Sequence, residues 1–243
     1  MKKKLIIAFS IIIVLFLAGY FVAGYFLGNV PIASKLLGTN KAKDLGVVIR
    51  IDNAYGGLEK INFPLDPQAV EAVVNDPSSY TRLNTSLTSD EASSLLALGD
   101  IPGFPLRTTQ IKFGPNGSVK ASGVINTADL QEALRAGGAS SDTIDKIMKY
   151  VKMAKYFNFY LEGNISIHNN QISGNLDSVK IGNIGLPGSL VDSIESGFAS
   201  AVTGMLNDRG YYIRNLSISE DKIDLDMDRT LGGLEYWLKF VQY

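Results

Sequence analysis

The sequence predicts an α+β protein. An N-terminal transmembrane helix is followed by a domain in which long, curved antiparallel hairpins wrap around amphipathic helices. An uncharged apolar run occupies residues 5–28. Three stretches alternate polar and apolar residues on both sides of a turn, and these turns lie near residues 116, 169 and 220. Helical spacing at 142–157 and 188–207 supplies elements that can cover the apolar face of such hairpins.

The N-terminus has the features of a membrane anchor. Residues 2–4 are lysines, and the 24 residues of 5–28 are long enough to cross a hydrocarbon core of about 30 Å as a helix. Lysines on this side predict a cytoplasmic N-terminus. The alternative is a cleaved signal peptide, whose apolar region is shorter and ends at small residues. Here the outer end is bulky, with Tyr20, Phe21 and Tyr25, which favours a retained signal anchor.

This anchor divides the chain into three parts. Residues 1–28 form a cytoplasmic stub and a single-pass span, residues 29–46 form a stalk, and residues 47–243 form an extracytoplasmic domain. Pro31 and Gly38 indicate the stalk. Once the three anchor lysines are set aside, the chain carries 20 basic and 24 acidic residues, so the outer domain is mildly acidic.

The composition excludes several classes of function. The 243 residues carry 23 Lys+Arg against 24 Asp+Glu, with one His and no Cys. This balance argues against a nucleic-acid partner. The absence of Cys excludes disulfides, thiol catalysis and Cys-ligated metals, and a lone His argues against a multi-His metal site or a His-dependent triad. We therefore expect a non-enzymatic protein with no cofactor. A hydrolase that uses an Asp/Glu pair on glycans ranks third, after the two non-catalytic functions given at the end of this section.

Local patterns predict the elements of the domain. A β-branched stretch at 46–52 predicts a first strand, 67–75 has helical spacing, and Thr88 with Glu91 forms a capping box that starts a helix. The remaining predictions are a hairpin at 106–113 and 118–126, a helix capped by Thr127, a helix at 142–157, a hairpin at 159–167 and 171–181, a helix at 188–207, a hairpin at 211–218 and 223–228, and an apolar tail at 231–243.

Two stretches of sequence resemble known bacterial envelope proteins. The anchor, LTSDEASSLL at 87–96 and QIKF with its turn and SVKASG at 110–123 resemble membrane-anchored proteins of the YpmS type. IGNIGLP at 181–187, the following helix and the hairpin at 211–228 look like phospholipid-binding proteins of the LmeA type. Both are similar to tubular lipid-binding (TULIP-like) folds, in which a curved sheet around a helix makes an apolar tunnel. The resemblance implies this fold and an envelope location, and it carries over no signature residue.

The helical stripes supply candidates for a ligand cavity. If the sheet encloses a tunnel, its expected liners are Ile147, Val151, Ile194, Phe198 and Val202. The same side chains would equally form an ordinary closed core.

One predicted helix is rich in lysine. Lys146, Lys149, Lys152 and Lys155 are candidates for an approach surface toward anionic headgroups or an anionic wall polymer. A solvated helix face is the simpler interpretation.

A partial match to a calcium-binding loop lies near the C-terminal end of the domain. Asp224, Asp226 and Asp228 alternate with apolar residues, which on a strand places three carboxylates on one face. Glu235 then falls at position 12 of a calcium loop, but position 6 is Arg229 where the loop needs Gly. A solvated strand face is the competing interpretation. His168, at a predicted hairpin tip, is interpreted as a solvated turn residue.

Two functions remain open from the sequence. The first is a membrane-anchored, extracytoplasmic, non-catalytic protein that binds lipid or another apolar envelope molecule in a cavity between sheet and helices. The alternative is a structural or interaction protein of the envelope, with a closed core, that docks a protein or an anionic polymer. The expected partners are thus the membrane, a lipid ligand or an envelope protein, and not nucleic acid.

Overall fold

The structure is a computed structural model. It describes residues 17–18, 21–22, 41–63, 80–98, 106–136, 141–142, 144–145, 148, 155–208 and 210–230. Of the predicted span, only Leu17, Ala18, Phe21 and Val22 are among these residues, and all four are helical. Within the described ranges, no helix is both long enough and apolar enough to cross a membrane. The predicted helix at 67–75 and the tail at 231–243 lie outside them.

The described chain is an α+β fold with one antiparallel sheet. In chain order the elements are α1 (Ile51–Lys60), β1 (Tyr80–Thr88), α2 (Ser89–Leu98), β2 (Leu106–Phe113), a 3-10 turn (Pro115–Gly117), β3 (Ser118–Asn126), α3 (Thr127–Ala136), β4 (Tyr156–His168), β5 (Gln171–Ile181), β6 (Ile184–Gly185), α4 (Gly188–Asp208), β7 (Tyr212–Ser219) and β8 (Lys222–Thr230). All three predicted hairpins and the long helix after Pro187 are confirmed.

The sheet has eight strands and is built around β4. Its order is β1-β8-β7-β4-β3-β2, and β5 pairs with β4 on the other side and carries β6. Strand β3 pairs with β4 from Tyr156 to Asn164, whereas β7 meets β4 only at Ile167 and His168. The 13-residue β4 therefore joins two hairpins that lie beside different parts of its length. The β4–β5 turn places Asn169 and Asn170 at positive φ, as a two-residue hairpin turn requires.

One sequence prediction is wrong in the structure, and another is wrong in where its helix ends. The strand expected at 46–52 is an extended segment that ends at Arg50, and Ile51 begins α1. The helix expected at 142–157 is present at the described residues Asp142, Ile144, Asp145 and Met148, but its predicted end is wrong, because Lys155 is in a bend and Tyr156 begins β4. In the second place a strand pairing outweighs local helix propensity, since Tyr156 pairs with Asn126 of β3.

The predicted capping box is confirmed at the start of α2. The Thr88 backbone N–H donates to Glu91 Oε2 at 2.9 Å, and the Glu91 N–H donates to Thr88 Oγ1 at 3.2 Å. The cap of α3 is shifted by one residue from the prediction. Helix α3 begins at Thr127, and Asn126 Oδ1 accepts the Ala128 N–H at 3.1 Å.

Helix α2 covers the edge of the sheet with serine side chains. Strand β2 is the last strand on its side. Ser89 Oγ accepts the Phe113 N–H at 2.9 Å, and Ser93 Oγ both accepts the Ile111 N–H at 2.8 Å and donates to the Ile111 carbonyl at 2.9 Å. Both serines are fully buried. They satisfy backbone groups that a neighbouring strand would otherwise take, which protects this edge from pairing with another chain.

Two other polar side chains of α2 accept hydrogen bonds from the extended segment before α1. Asp90 Oδ1 accepts the Val48 N–H at 2.9 Å, and Ser94 Oγ accepts the Arg50 N–H at 3.1 Å. Upstream, the Lys41 carbonyl accepts from Asn158 Nδ2 at 2.8 Å. Residues 41–46 of the predicted stalk therefore contact the domain.

The core lies between the C-terminal part of α4 and the sheet. Its buried cluster is Leu83, Ile167, Leu206, Ile213 and Met227, from β1, β4, α4, β7 and β8. Helix α4 is also tied to β5, where Glu195 Oε2 accepts the Leu176 N–H at 2.9 Å. These contacts place α4 over the apolar face of the sheet.

Candidate functional site

The two faces of β8 have opposite chemistry. Asp224, Asp226 and Asp228 lie on one face, here called the outer face, as their spacing predicts. Ile223, Leu225 and Met227 lie on the other, the inner face, where Met227 joins the core cluster. The outer face carries the predicted calcium ligands.

The outer carboxylates are paired with cationic side chains. Arg82 binds Asp226 through both arms, with Nε–Oδ1 at 3.1 Å and Nη2–Oδ2 at 2.9 Å. Arg214 bridges Asp226 and Asp228, and Lys222 lies 3.1 Å from Asp224. Because the hydrogen bond from Arg82 favours the charged form, it holds the pKa of Asp226 below its usual range, and Arg214 acts in the same direction.

A β-bulge makes this ladder possible. The register of β7 on β8 shifts between Ile213 and Asn215, so Arg214 is the extra residue of the bulge. Its guanidinium thereby lies between two carboxylates of β8. Each Asp predicted as a calcium ligand already has a cationic partner, and Glu235 lies outside the described residues. Over the ranges that the structure covers, no group of three His, Cys, Asp or Glu side chains could hold a metal ion.

The inner face carries buried apolar side chains from several strands. Phe157, Phe159 and Ile167 of β4 are buried on it, and the core cluster extends it across β7, β8 and β1. Other apolar side chains on this face remain half-buried, and they are Leu161, Ile165, Ile172, Leu216 and Leu225. A packed core and a partly open apolar surface therefore occur together on one face of the sheet.

The last residue on the inner face of β8 is Arg229, which is charged. Arg229 follows Met227 at the same period of two and lies opposite Thr81 of β1. It is only 5% exposed. Its Nη2 donates to the Asn62 carbonyl at 2.7 Å, just beyond the end of α1, whereas its buried Nε has no hydrogen-bond partner. Burial lowers the pKa of Arg229, and the neighbouring Tyr211 opposes this shift.

The predicted cavity liners are only partly described. Ile194 lies on α4 and is half-buried. Phe198 and Val202 belong to α4, but their side chains are outside what the structure describes, as are Ile147 and Val151 entirely. Neighbouring positions of α4 do face inward, since Leu190, Val191 and Leu206 are buried.

The lysine surface and the lone histidine are at the periphery. Lys155 is exposed, with its Nζ 5.3 Å from the centroid of the Tyr156 ring. Lys146, Lys149 and Lys152 lie outside the described residues. His168 is exposed at the end of β4, before the Asn169–Asn170 turn.

A polar cluster surrounds Tyr160 on β4. Tyr160 is 6% exposed, and its hydroxyl donates to Glu162 Oε2 at 2.7 Å. Lys120 Nζ lies 3.1 Å from the other oxygen of Glu162, and Lys43 Nζ lies 4.0 Å from the centroid of the Tyr160 ring. This cluster fixes the segment at 41–46 against the sheet.

The Tyr160 cluster predicts a loss of stability in alkali. Burial, helped by the hydrogen bond to Glu162, raises the pKa of Tyr160 to about 12. An unfolded tyrosine titrates near ~10. Because the folded state holds the proton more tightly, this contribution to stability is fully present below about pH 10 and is lost as the pH rises towards the folded pKa.

We expect the free energy of unfolding to fall across that window and to fall less in Tyr160→Phe. Urea titrations followed by circular dichroism at several pH values measure it. Tyr212→Phe is the control, because the Tyr212 side chain is 41% exposed. An equally steep fall in Tyr160→Phe and in the wild type would contradict this assignment.

Arg229 is the residue that sequence reasoning missed. In the sequence, Arg229 serves only as an argument against a calcium loop, because it occupies the position at which that loop needs Gly. A signal was nevertheless present, because Arg229 continues the apolar series Ile223, Leu225 and Met227 at a period of two. A charged residue in an inward phase is unusual, since Arg is almost never fully buried without a partner.

Comparison with known proteins gave no match. No family model, no curated protein and no solved structure matches this chain.

Proposed function

We propose that this chain is a membrane-anchored, extracytoplasmic protein that binds a lipid or another apolar molecule of the cell envelope between its sheet and its helices. The binding is non-catalytic, because the burial of an acyl chain needs no reactive group. The apolar run at 5–28 is the anchor. The domain has a TULIP-like arrangement, in which a long antiparallel sheet curves around amphipathic helices, as the resemblance to YpmS-type and LmeA-type proteins implies.

The observation that carries the proposal is the half-buried part of the inner face. Leu161, Ile165, Leu216 and Leu225 point to the same side as the core but keep part of their surface accessible. Each methylene of a ligand that is buried there contributes about 0.8 kcal/mol. An acyl chain of ordinary length can therefore bind without a specific polar motif. Lys155, with Lys146, Lys149 and Lys152, would offer a basic surface for anionic headgroups.

Photolabelling of the full chain tests this proposal. The protein is reconstituted in phosphatidylcholine vesicles that contain a long-chain fatty acid with a diazirine in its tail, irradiated and digested. We expect labelled peptides from β4, β7, β8 and α4, in addition to any label in the span. Label confined to residues 5–28 overturns the proposal and favours an envelope interaction protein with a closed core.

A pair of variants on α4 makes the test specific. Ile194 is half-buried and Ser196 is exposed on the same helix. Ile194→Trp places a larger side chain where the ligand would lie beside the sheet, so we expect about a tenfold loss of domain labelling, which corresponds to about 1.4 kcal/mol of binding free energy. Ser196→Trp should leave the labelling unchanged. Equal labelling of the two variants would show that α4 does not line the site.

A further inference from the structure

Three exposed apolar side chains lie together at the start of α1, and we call them the α1 patch. Ile51 is 64% exposed and Tyr55 is 58% exposed, and one helical turn separates them on the same side of the helix. Val48 is 44% exposed, and Asn53 Nδ2 donates to its carbonyl at 2.8 Å, which holds it beside the first turn. Among the described residues Ile51 is the most exposed large apolar side chain, more so than Leu17 of the predicted span at 51%.

The other side of α1 packs on α2. Gly57 is buried there, and a β-carbon on it would lie 2.8 Å from the Leu95 side chain. Gly57 lies about 200° further around the helix than Tyr55. Lys60 Nζ also donates to Glu91 Oε2 of α2 at 2.8 Å. The helix is therefore fixed by one side and presents its apolar patch on the other, and clustered apolar side chains of this kind mark an interaction site.

The chemistry of the patch suits a bilayer surface. A tyrosine has an apolar ring and a polar tip, which favours the boundary between acyl chains and headgroups. The other exposed residues of α1 include the acids Asp52 and Glu59. They would not attract anionic headgroups, so the association has to come from burial of apolar surface.

The chain before the patch keeps it near the membrane. Residues 29–40 join the apolar run to the segment that contacts the domain, and these twelve residues reach about 40 Å at most. Lys41 and Leu45 are held on the sheet by Asn158 and Gln110. Val48 follows Lys41 by seven residues, or about 25 Å at most. The patch is thus carried within reach of the bilayer, and the tether makes docking intramolecular.

We propose that the α1 patch docks on the lipid surface of the membrane that holds the anchor, with Ile51 at the acyl boundary and the Tyr55 hydroxyl among the headgroups. This inference rests on the proposed function, because it needs the anchor. It adds a second contact with the membrane and fixes which side of the domain faces the lipid.

Fluorescence quenching of single labels tests the docking. The chain has no Cys, so one introduced Cys carries the only dye. The full chain with Val48→Cys bears a nitrobenzoxadiazole dye and is reconstituted in phosphatidylcholine vesicles, with or without a nitroxide on the lipid acyl chain near the headgroup. We expect a blue-shifted emission that the nitroxide quenches.

Two other label positions calibrate the measurement. Leu17→Cys lies in the predicted span and should be quenched if the anchor inserts. His168→Cys should be neither shifted nor quenched, because His168 is exposed and lies about 33 Å along β4 from Asn158, to which Lys41 is bonded.

The double variant Ile51→Ser, Tyr55→Ser tests the patch itself. We expect the ratio of docked to undocked domains, measured by quenching at position 48, to fall at least about tenfold, because burial of each such side chain shifts an equilibrium by about tenfold or more. Tyr212→Ser is the control, since Tyr212 is 41% exposed but lies on the outer face of the sheet. It should leave the quenching unchanged, and circular dichroism checks that both variants are folded.

Each other outcome has a distinct meaning. Quenching at position 17 but not at 48 overturns the docking and leaves the proposed function standing, whereas no quenching at 17 rejects the anchor itself. A blue shift at 48 that grows with the protein-to-lipid ratio, without quenching, shows contact with a second copy and overturns the assignment to lipid. Quenching that survives the double variant, or that needs phosphatidylglycerol and disappears in high salt, assigns the contact to charged groups such as Lys41 and Lys43 and overturns the role of the patch.

Discussion

Replacement of Gly163 by alanine is expected to destabilise the domain by roughly 3 kcal/mol, at the upper end of what overpacking costs. Gly163 pairs with Leu176 where the register of β4 on β5 shifts. A β-carbon there would overlap the Asn175 carbonyl oxygen and lie 3.1 Å from the Leu176 α-carbon. Both are backbone atoms of the neighbouring strand, so no side-chain rotation relieves the contact and the β4–β5 ladder must open.

Chemical denaturation of the full chain in detergent micelles, followed by circular dichroism, measures this loss. Gly185→Ala is the matched control, because Gly185 lies in β6 of the same sheet and a β-carbon there meets no atom within 4 Å. It should change stability by less than about 0.5 kcal/mol. Similar stabilities for the two variants would mean that β4 and β5 do not approach this closely.

Replacement of Ser93 by alanine is expected to destabilise the domain by about 2 kcal/mol. The Ser93 hydroxyl bonds both the N–H and the carbonyl of Ile111 and is fully buried. Alanine is a better helix former, but it leaves two backbone groups of β2 without their partner, and an unmade buried hydrogen bond costs about 1–3 kcal/mol. Self-association of the protein should also increase, because the weaker contact lets α2 open more often and the unpaired groups of β2 then become available to another strand.

Ser196→Ala is the comparison on α4. Ser196 is exposed, and its hydroxyl only bonds back to the Ser193 carbonyl at 3.2 Å within the same helix. Stability should stay within about 0.5 kcal/mol of the wild type and the protein should remain monodisperse in light scattering. If Ser93→Ala behaves in the same way, α2 does not act as a cover for the sheet edge.

Local patterns predicted the secondary structure well where the period was strong. The hairpin at 106–126 has the predicted bounds, and the box formed by Thr88 and Glu91 makes the reciprocal hydrogen bonds that its spacing implies. Such features depend on residues that are close in sequence, and they can therefore be predicted without knowledge of the tertiary structure. The prediction failed at Ile51, where a β-branched stretch ends and α1 begins. Helix α1 packs on α2 there, and a β-carbon on Gly57 would lie 2.8 Å from the Leu95 side chain.

The sequence by itself determined the apolar run at 5–28, the strand and helix periods and the placement of three aspartates on one face of β8. Only the tertiary structure decided what those faces meet. It gave Asp226 and Asp228 their arginine partners, placed Ser93 on the edge of β2, and buried Arg229 beyond Met227 with an open donor. The physical reason is that periodicity fixes which side a residue faces, whereas its partner comes from another strand or helix that the local sequence does not specify.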